Sequence, residues 1–166
     1  MADYRTTDGA IVSVLMGSAS DWPTMKKASE TLDTLGIPHE CNAISAHRNH
    51  ERLGRYLADC EQRGIKIYIC AAGGAAHLAG VVAAMTHRPV LGCPMKAWSL
   101  EGLDSLLSTV QMPKGIPVAT FAIGSAGAIN AALYAGHILA LSDDAIENRL
   151  LDFRKKQSET VQELAD

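Results

Sequence analysis

What most limits the fold of this chain is an alternation that starts at Ala10 and runs to Leu141. Short apolar, β-branched runs are each followed by a segment of helical character. The pairs are Ala10–Met16 with Trp22–Leu35, His39–Ile44 with His50–Arg63, and Lys66–Cys70 with Ala75–Met85. Two more follow: Pro89–Gly92 with Leu100–Val110, and Val118–Phe121 with Ser125–Leu141. A helix between successive strands returns the chain to start a parallel neighbour, and parallel sheets are stable when both faces are covered. The expectation is a three-layer, doubly wound parallel α/β sheet, flavodoxin-like, with an extra helix at the C-terminus.

Gly36 and Gly64 follow helical segments where a left-handed cap is expected, and a strand begins soon after each. The last helix, Asp143–Leu164, is more polar and lies beyond the alternation, with Ser142 or Asp143 as its cap. Residues 1–166 are read as one catalytic domain, with 1–9 as an N-terminal tail and 143–166 as a helix that packs between subunits.

Composition narrows the partners. A net charge of −3 supplies no basic stripe to displace counterions from a nucleic-acid backbone, so an anionic ligand has to be caught locally. Cys41, Cys60, Cys70 and Cys93 form no CxxC pair and no dense framework, and they read as reduced thiols. No apolar run reaches the roughly 20 residues of a membrane span, and Met1–Gly9 has no secretory h-region. The expectation is a soluble cytoplasmic protein with no membrane partner.

In a doubly wound sheet, ligands sit outside the carboxyl ends of the strands, so the loops after strands carry the chemistry. The first, Gly17-Ser18-Ala19-Ser20-Asp21, runs into a helix near Trp22-Pro23. Helix N–H groups and the hydroxyls of Ser18 and Ser20 make a phosphate cradle, although capping of the helix by Ser20 or Asp21 accounts for the loop equally well. Asp21 suits a ribose diol better than a phosphate.

The second loop, Ser45-Ala46-His47-Arg48, sets an imidazole beside a guanidinium that can hold phosphate through two hydrogen bonds. His50 stands three residues beyond His47 with no third ligand at metal-site spacing, so no metal centre is read. In the third loop, Ala72-Gly73-Gly74-Ala75-Ala76-His77, consecutive small residues let backbone approach a flat ligand closely. Gly124-Ser125-Ala126-Gly127-Ala128 repeats the theme, with close helix–sheet packing as the simpler explanation.

Four ordered motifs carry a resemblance. They are Met16-Gly17-Ser18-Ala19-Ser20-Asp21-Trp22, Ser45-Ala46-His47-Arg48, Gly73-Gly74-Ala75-Ala76-His77-Leu78, and Gly102-Leu103-Asp104-Ser105-Leu106-Leu107-Ser108 with Val110-Gln111-Met112-Pro113. In this order and spacing, over about Ile11–Ala140, the chain resembles the N5-carboxyaminoimidazole ribonucleotide mutases of purine biosynthesis. The resemblance implies conversion of that ribonucleotide to its 4-carboxy isomer by a homo-octamer, without metal, ATP or organic cofactor. It implies that Ser18, Ser20, Ser45 and Arg48 hold the phosphate region, that Asp21 meets the ribose hydroxyls, and that Gly17 is a further substrate-binding residue. Gly73, Gly74 and Leu78 would lie near the imidazole and transient carbon dioxide, with His47 as the proton shuttle. Histidine, with a reference pKa of about 6.5, both gives and takes protons near neutrality.

The animal-type sister enzymes, which carboxylate aminoimidazole ribonucleotide directly, typically carry Lys after the histidine and Arg-Ser-Asn in the third loop. Arg48 and Gly73–His77 favour the mutase. Relatives acting on pyridine mononucleotides, and a catalytically silent nucleotide-binding module, remain alternatives. The chain departs from the usual family pattern at Asn49-His50, at Ala79, and at Lys96-Ala97-Trp98-Ser99, where a bulky indole falls near the site or a subunit contact.

Overall fold

A computed structural model describes residues 4–160. Its strands are β1 (Val12–Met16), β2 (His39–Ala43), β3 (Ile67–Gly73), β4 (Val90–Met95) and β5 (Ala119–Thr120). The helices are α1 (Trp22–Thr34), α2 (His50–Arg63), α3 (Leu78–Met85), α4 (Leu103–Val110), α5 (Ser125–Ala140) and α6 (Asp144–Glu159). The strands form one sheet in the order β2-β1-β3-β4-β5, all parallel. This is the flavodoxin-like order, in which the winding direction reverses between β1 and β3.

Two apolar clusters cover the two faces. Alternate strand residues Val12, Val14, Met16, Ile67, Ile69, Leu91 and Cys93 pack with α1, α5 and two side chains of α6, Ile146 and Leu150. Leu15, Tyr68, Cys70 and Val90 point the other way, onto Leu53, Tyr56 and Leu57 of α2 and Leu78 and Val82 of α3. Because both faces are buried, β1, β3 and β4 read as largely apolar runs, whereas the edge strand β2 does not. All four cysteines are free, and burial pushes the Cys93 thiol up to about 12.

Helix ends follow local chemistry. Asp143 caps α6 by accepting from the N–H groups of Ala145 and Ile146. Asn49 caps α2 by accepting from Arg52 N–H, and His50 is simply its first residue. Gly64 closes α2 with φ 87°, as its position after the helix anticipates.

Three sequence expectations are corrected. Strand β4 runs to Met95 rather than stopping at Gly92, passing through Pro94. Pro94 C=O accepts from Gly124 N–H on the β5 side, where β5 has already left the sheet, so the missing proline N–H faces no strand. Strand β3 extends through Gly73, and α3 begins at Leu78 instead of Ala75, which leaves a turn at 74–77.

The supposed N-terminal tail is tied down from Tyr4 onward, and the final helix, expected to reach Leu164, stops at Glu159 with Thr160 extended; residues 1–3 and 161–166 lie outside the described residues. Asn42 exchanges two 2.8 Å hydrogen bonds with the backbone of Arg5, and Thr7 N–H donates to Glu40. Glu40 is itself buried and held by both terminal nitrogens of Arg63 at 2.7 Å and by Tyr56 OH at 2.7 Å.

Candidate active site

Loops after β1, β2, β3 and β4 meet over the carboxyl edge of the sheet and enclose a cavity of about 540 Å³. Gly17, Ser18, Ser20, Asp21, Ser45, His47, Arg48, Gly73 and Leu78 all line it. A second cavity of about 660 Å³, against Tyr4, Cys41, Asn42 and Arg52, shares none of these residues and is lined by no histidine or carboxylate. Size therefore does not pick out the site here; the gathering of titratable groups at the switch point does.

After β1, the chain makes a single tight turn, Ala19–Asp21, before α1. Ser18 Oγ accepts from Ser20 N–H at 3.3 Å and from Ser20 Oγ–H at 2.8 Å. Asp21 occupies the cap position of α1 but makes no side-chain capping bond. Burial raises the Asp21 carboxyl pKa, an effect opposed by the Ser18 backbone N–H that bonds it. Simple capping thus does not occupy the Asp21 carboxylate, which lines the cavity.

Arg48 joins the first two loops. Its Nη2 donates to Gly17 C=O at 3.2 Å and its Nε to Ser45 Oγ at 3.3 Å. A guanidinium held in this way spends no further side-chain freedom when an anion arrives.

His47 and His77 meet across 30 residues of sequence: His47 Nε2 lies 2.9 Å from His77 Nδ1, with the rings edge to face at 5.0 Å between centroids. One nitrogen must donate and the other accept, so the tautomers of the two rings are fixed together. The sheet order produces the encounter, because β2 and β3 flank β1 and their loops bend toward each other over its end.

Gly74 is the one proposed ligand residue that does not line the cavity. It is buried, φ 65°, and donates its N–H to Ser105 Oγ at 2.9 Å, while that hydroxyl donates to Met95 C=O at 2.7 Å. A β-carbon on Gly74 would meet the Trp98 ring at 2.4 Å. The requirement for glycine is backbone conformation and contact with Trp98. The Gly124–Ala128 stretch is also away from the cavity, and a β-carbon on Gly127 would lie 1.7 Å from Ala122 C=O, so close packing accounts for it.

Of the two places the sequence left open for Lys96-Ala97-Trp98-Ser99, near the site or at a subunit contact, the fold puts the first three of these residues at the site. Lys96, Ala97 and Trp98, after β4, line the same cavity, as do His77, Ala46, Ala72 and Ala75. The signal was the length of β4: ended at Gly92, the strand delivers its loop too early, whereas ended at Met95 it delivers Lys96–Trp98 to the site. Among the described residues, no group of three or more His, Cys, Asp or Glu side chains is placed to hold a metal. No described helix is long and apolar enough to cross a membrane.

Fold and cavity together define a flavodoxin-like α/β protein of the kind that receives a small molecule outside the carboxyl ends of its strands. Comparison with known proteins is specific. The sequence profile of AIR carboxylase matches residues 11–160, and the chain belongs to that family. It is 52% identical over 150 residues to the N5-carboxyaminoimidazole ribonucleotide mutase of Vibrio parahaemolyticus, covering 90% of this chain and 93% of that protein. It is 50% identical over 157 residues to the mutase of the same name from Escherichia coli K12, covering 95% and 93%. The crystal structure of Treponema denticola PurE superposes with a TM-score of 0.82 at 31% identity, over 89% of this chain and 91% of that one.

Proposed function

We propose that this protein is an N5-carboxyaminoimidazole ribonucleotide mutase of purine biosynthesis, working as a single catalytic domain. The observation that carries the reading is the histidine couple facing the same cavity as the Ser18, Ser20 and Arg48 cradle. The named relatives, each about half identical over nearly the whole chain, support it.

The residue types match the steps. The exocyclic N–C bond of the substrate breaks, releasing carbon dioxide while that nitrogen takes up a proton. The ring C4 then attacks carbon dioxide, forming a C–C bond, and loses its own proton to restore the aromatic ring. One proton is delivered and one removed, so a single group that gives and takes suffices and no net acid or base is consumed. His47 is that group, and His77 fixes its tautomer through the 2.9 Å contact.

Ser18, Ser20, Ser45 and Arg48 hold the phosphate, with Gly17 giving the backbone close approach. Asp21 accepts from the ribose hydroxyls, whose arrival stabilises the charged carboxylate that burial disfavours. Gly73 and Leu78, with Gly74 supporting the turn from behind, form the small-residue floor that keeps carbon dioxide close to the ring.

The assembly is a homo-octamer. Leu103, Leu107 and Val110 make one half-exposed apolar stripe along α4, and Leu141 at the end of α5 and Leu151 on α6 are exposed, which supplies contact surface between subunits. No metal, cofactor or nucleic acid is required, and the compartment is the cytoplasm.

Turnover of synthetic N5-carboxyaminoimidazole ribonucleotide without ATP or bicarbonate tests the reading. Labelled bicarbonate entering product as fast as product forms would replace the mutase with a direct carboxylase.

A further inference from the structure

Trp98 is not explained by the reaction above, and its surroundings are unusual. It is the one Phe, Tyr or Trp side chain lining the cavity, yet its surface is 85% exposed. Its backbone has φ 21°, and Trp98 and Glu101 are the non-glycine residues with positive φ among those described. Large apolar side chains are rarely left open to water in such a backbone conformation unless something requires it.

The loop that carries the indole is fastened on several sides. Lys96 and Glu101 form an ion pair that bridges its two ends. Gly102, φ 91°, follows Glu101, and a β-carbon there would run into Ile123. Gly74 accepts the benzo edge of the indole where any larger residue would collide with it. The Gly74 turn is anchored in turn by Ser105. An aromatic plane is therefore held beside the cavity by its backbone and its underside while much of its surface stays free.

We infer that Trp98 is the stacking platform for the heteroaromatic ring of the ligand and a determinant of specificity for a planar base. This rests on the reading of the cavity as a ribonucleotide site. The phosphate and ribose are met by hydrogen-bonding groups from the first two loops, while an electron-rich five-membered ring needs a flat partner to fix its tilt relative to His47. Stacking on an indole supplies that orientation without competing for the ring's hydrogen-bonding groups.

Trp22 is the only other tryptophan, so Trp22→Phe leaves Trp98 as the sole indole reporter. The probes are 5-aminoimidazole ribonucleotide and ribose 5-phosphate, each titrated with emission and calorimetry in parallel. The expected result is that both bind but only the nucleotide changes the Trp98 emission and shields it from acrylamide. In the native background, Trp98→Ala raises KM about tenfold with little change in kcat, and Trp98→Phe restores most of the affinity. Nucleotide binding by calorimetry with unchanged emission, or an indole already shielded in the free protein, overturns the stacking role and leaves the ribonucleotide reading standing. Failure of both probes to bind overturns both.

Discussion

In the proposed mechanism His47 and Arg48, neighbours in sequence, have separate tasks, and substitution should separate them. His47→Asn keeps a side chain that can hydrogen-bond but not one that cycles a proton. Its kcat should fall by about 10²–10⁴-fold while circular dichroism and binding of a non-reacting ribonucleotide stay as in the native protein. Arg48→Ala removes a charged donor and the tie to Gly17 and Ser45. It should weaken the phosphorylated substrate about 10- to 100-fold, and a dephosphorylated nucleoside far less, in parallel binding titrations. At this scale the sequence named residues that the fold gathers around one cavity, but not which of them touch. The His47–His77 contact spans 30 positions and depends on β1 lying between β2 and β3. No local pattern encodes that order.

Among the elements, β2 shows how an edge strand is fastened at the end away from the site. Its Glu40 is buried, and burial alone would raise its pKa; hydrogen bonds from Arg63, Tyr56 and Thr7 N–H outweigh that and hold the carboxyl below its ordinary value. A depressed carboxyl pKa contributes stability that is complete above the unfolded-state value of about 4.3 and is lost as pH falls through the lower folded-state value. Glu40→Gln should lower the unfolding free energy by about 3 kcal/mol in urea titrations at pH 7, and should flatten the acid limb of a stability–pH profile.

Strands and helices were legible because a sheet buried on both faces writes its central strands as apolar runs, and the cap of α6 was legible to within one residue, Ser142 or Asp143, of which the structure takes Asp143. The far end of β4 was not, because proline argues against a strand unless one knows that its N–H side is vacant. The tethering of residues 5–7 was also hidden, since it runs through the side chains of Glu40 and Asn42 rather than a backbone ladder.

At the level of the whole molecule, the described chain leaves apolar surface uncovered on α4, at the end of α5 and on α6. If these faces join subunits, Leu107→Glu should shift sedimentation toward smaller species while the far-ultraviolet spectrum of the fold persists, because Leu107 contributes to neither apolar core cluster.

The site itself rests on the end of the β1–β3 pairing. The β1–β3 pairing continues to the cavity edge, where Gly17 N–H donates to Ala71 C=O at 2.9 Å. The serine turn and the glycine turn thus stand at a separation set by strand register, and register changes only in whole residues, each slip turning every side chain to the opposite face. In the proposed mechanism the sheet consequently acts as a ruler between the phosphate end and the reacting ring. A nucleotide of different length calls for a new loop, since no small adjustment of the strands can re-space the marks.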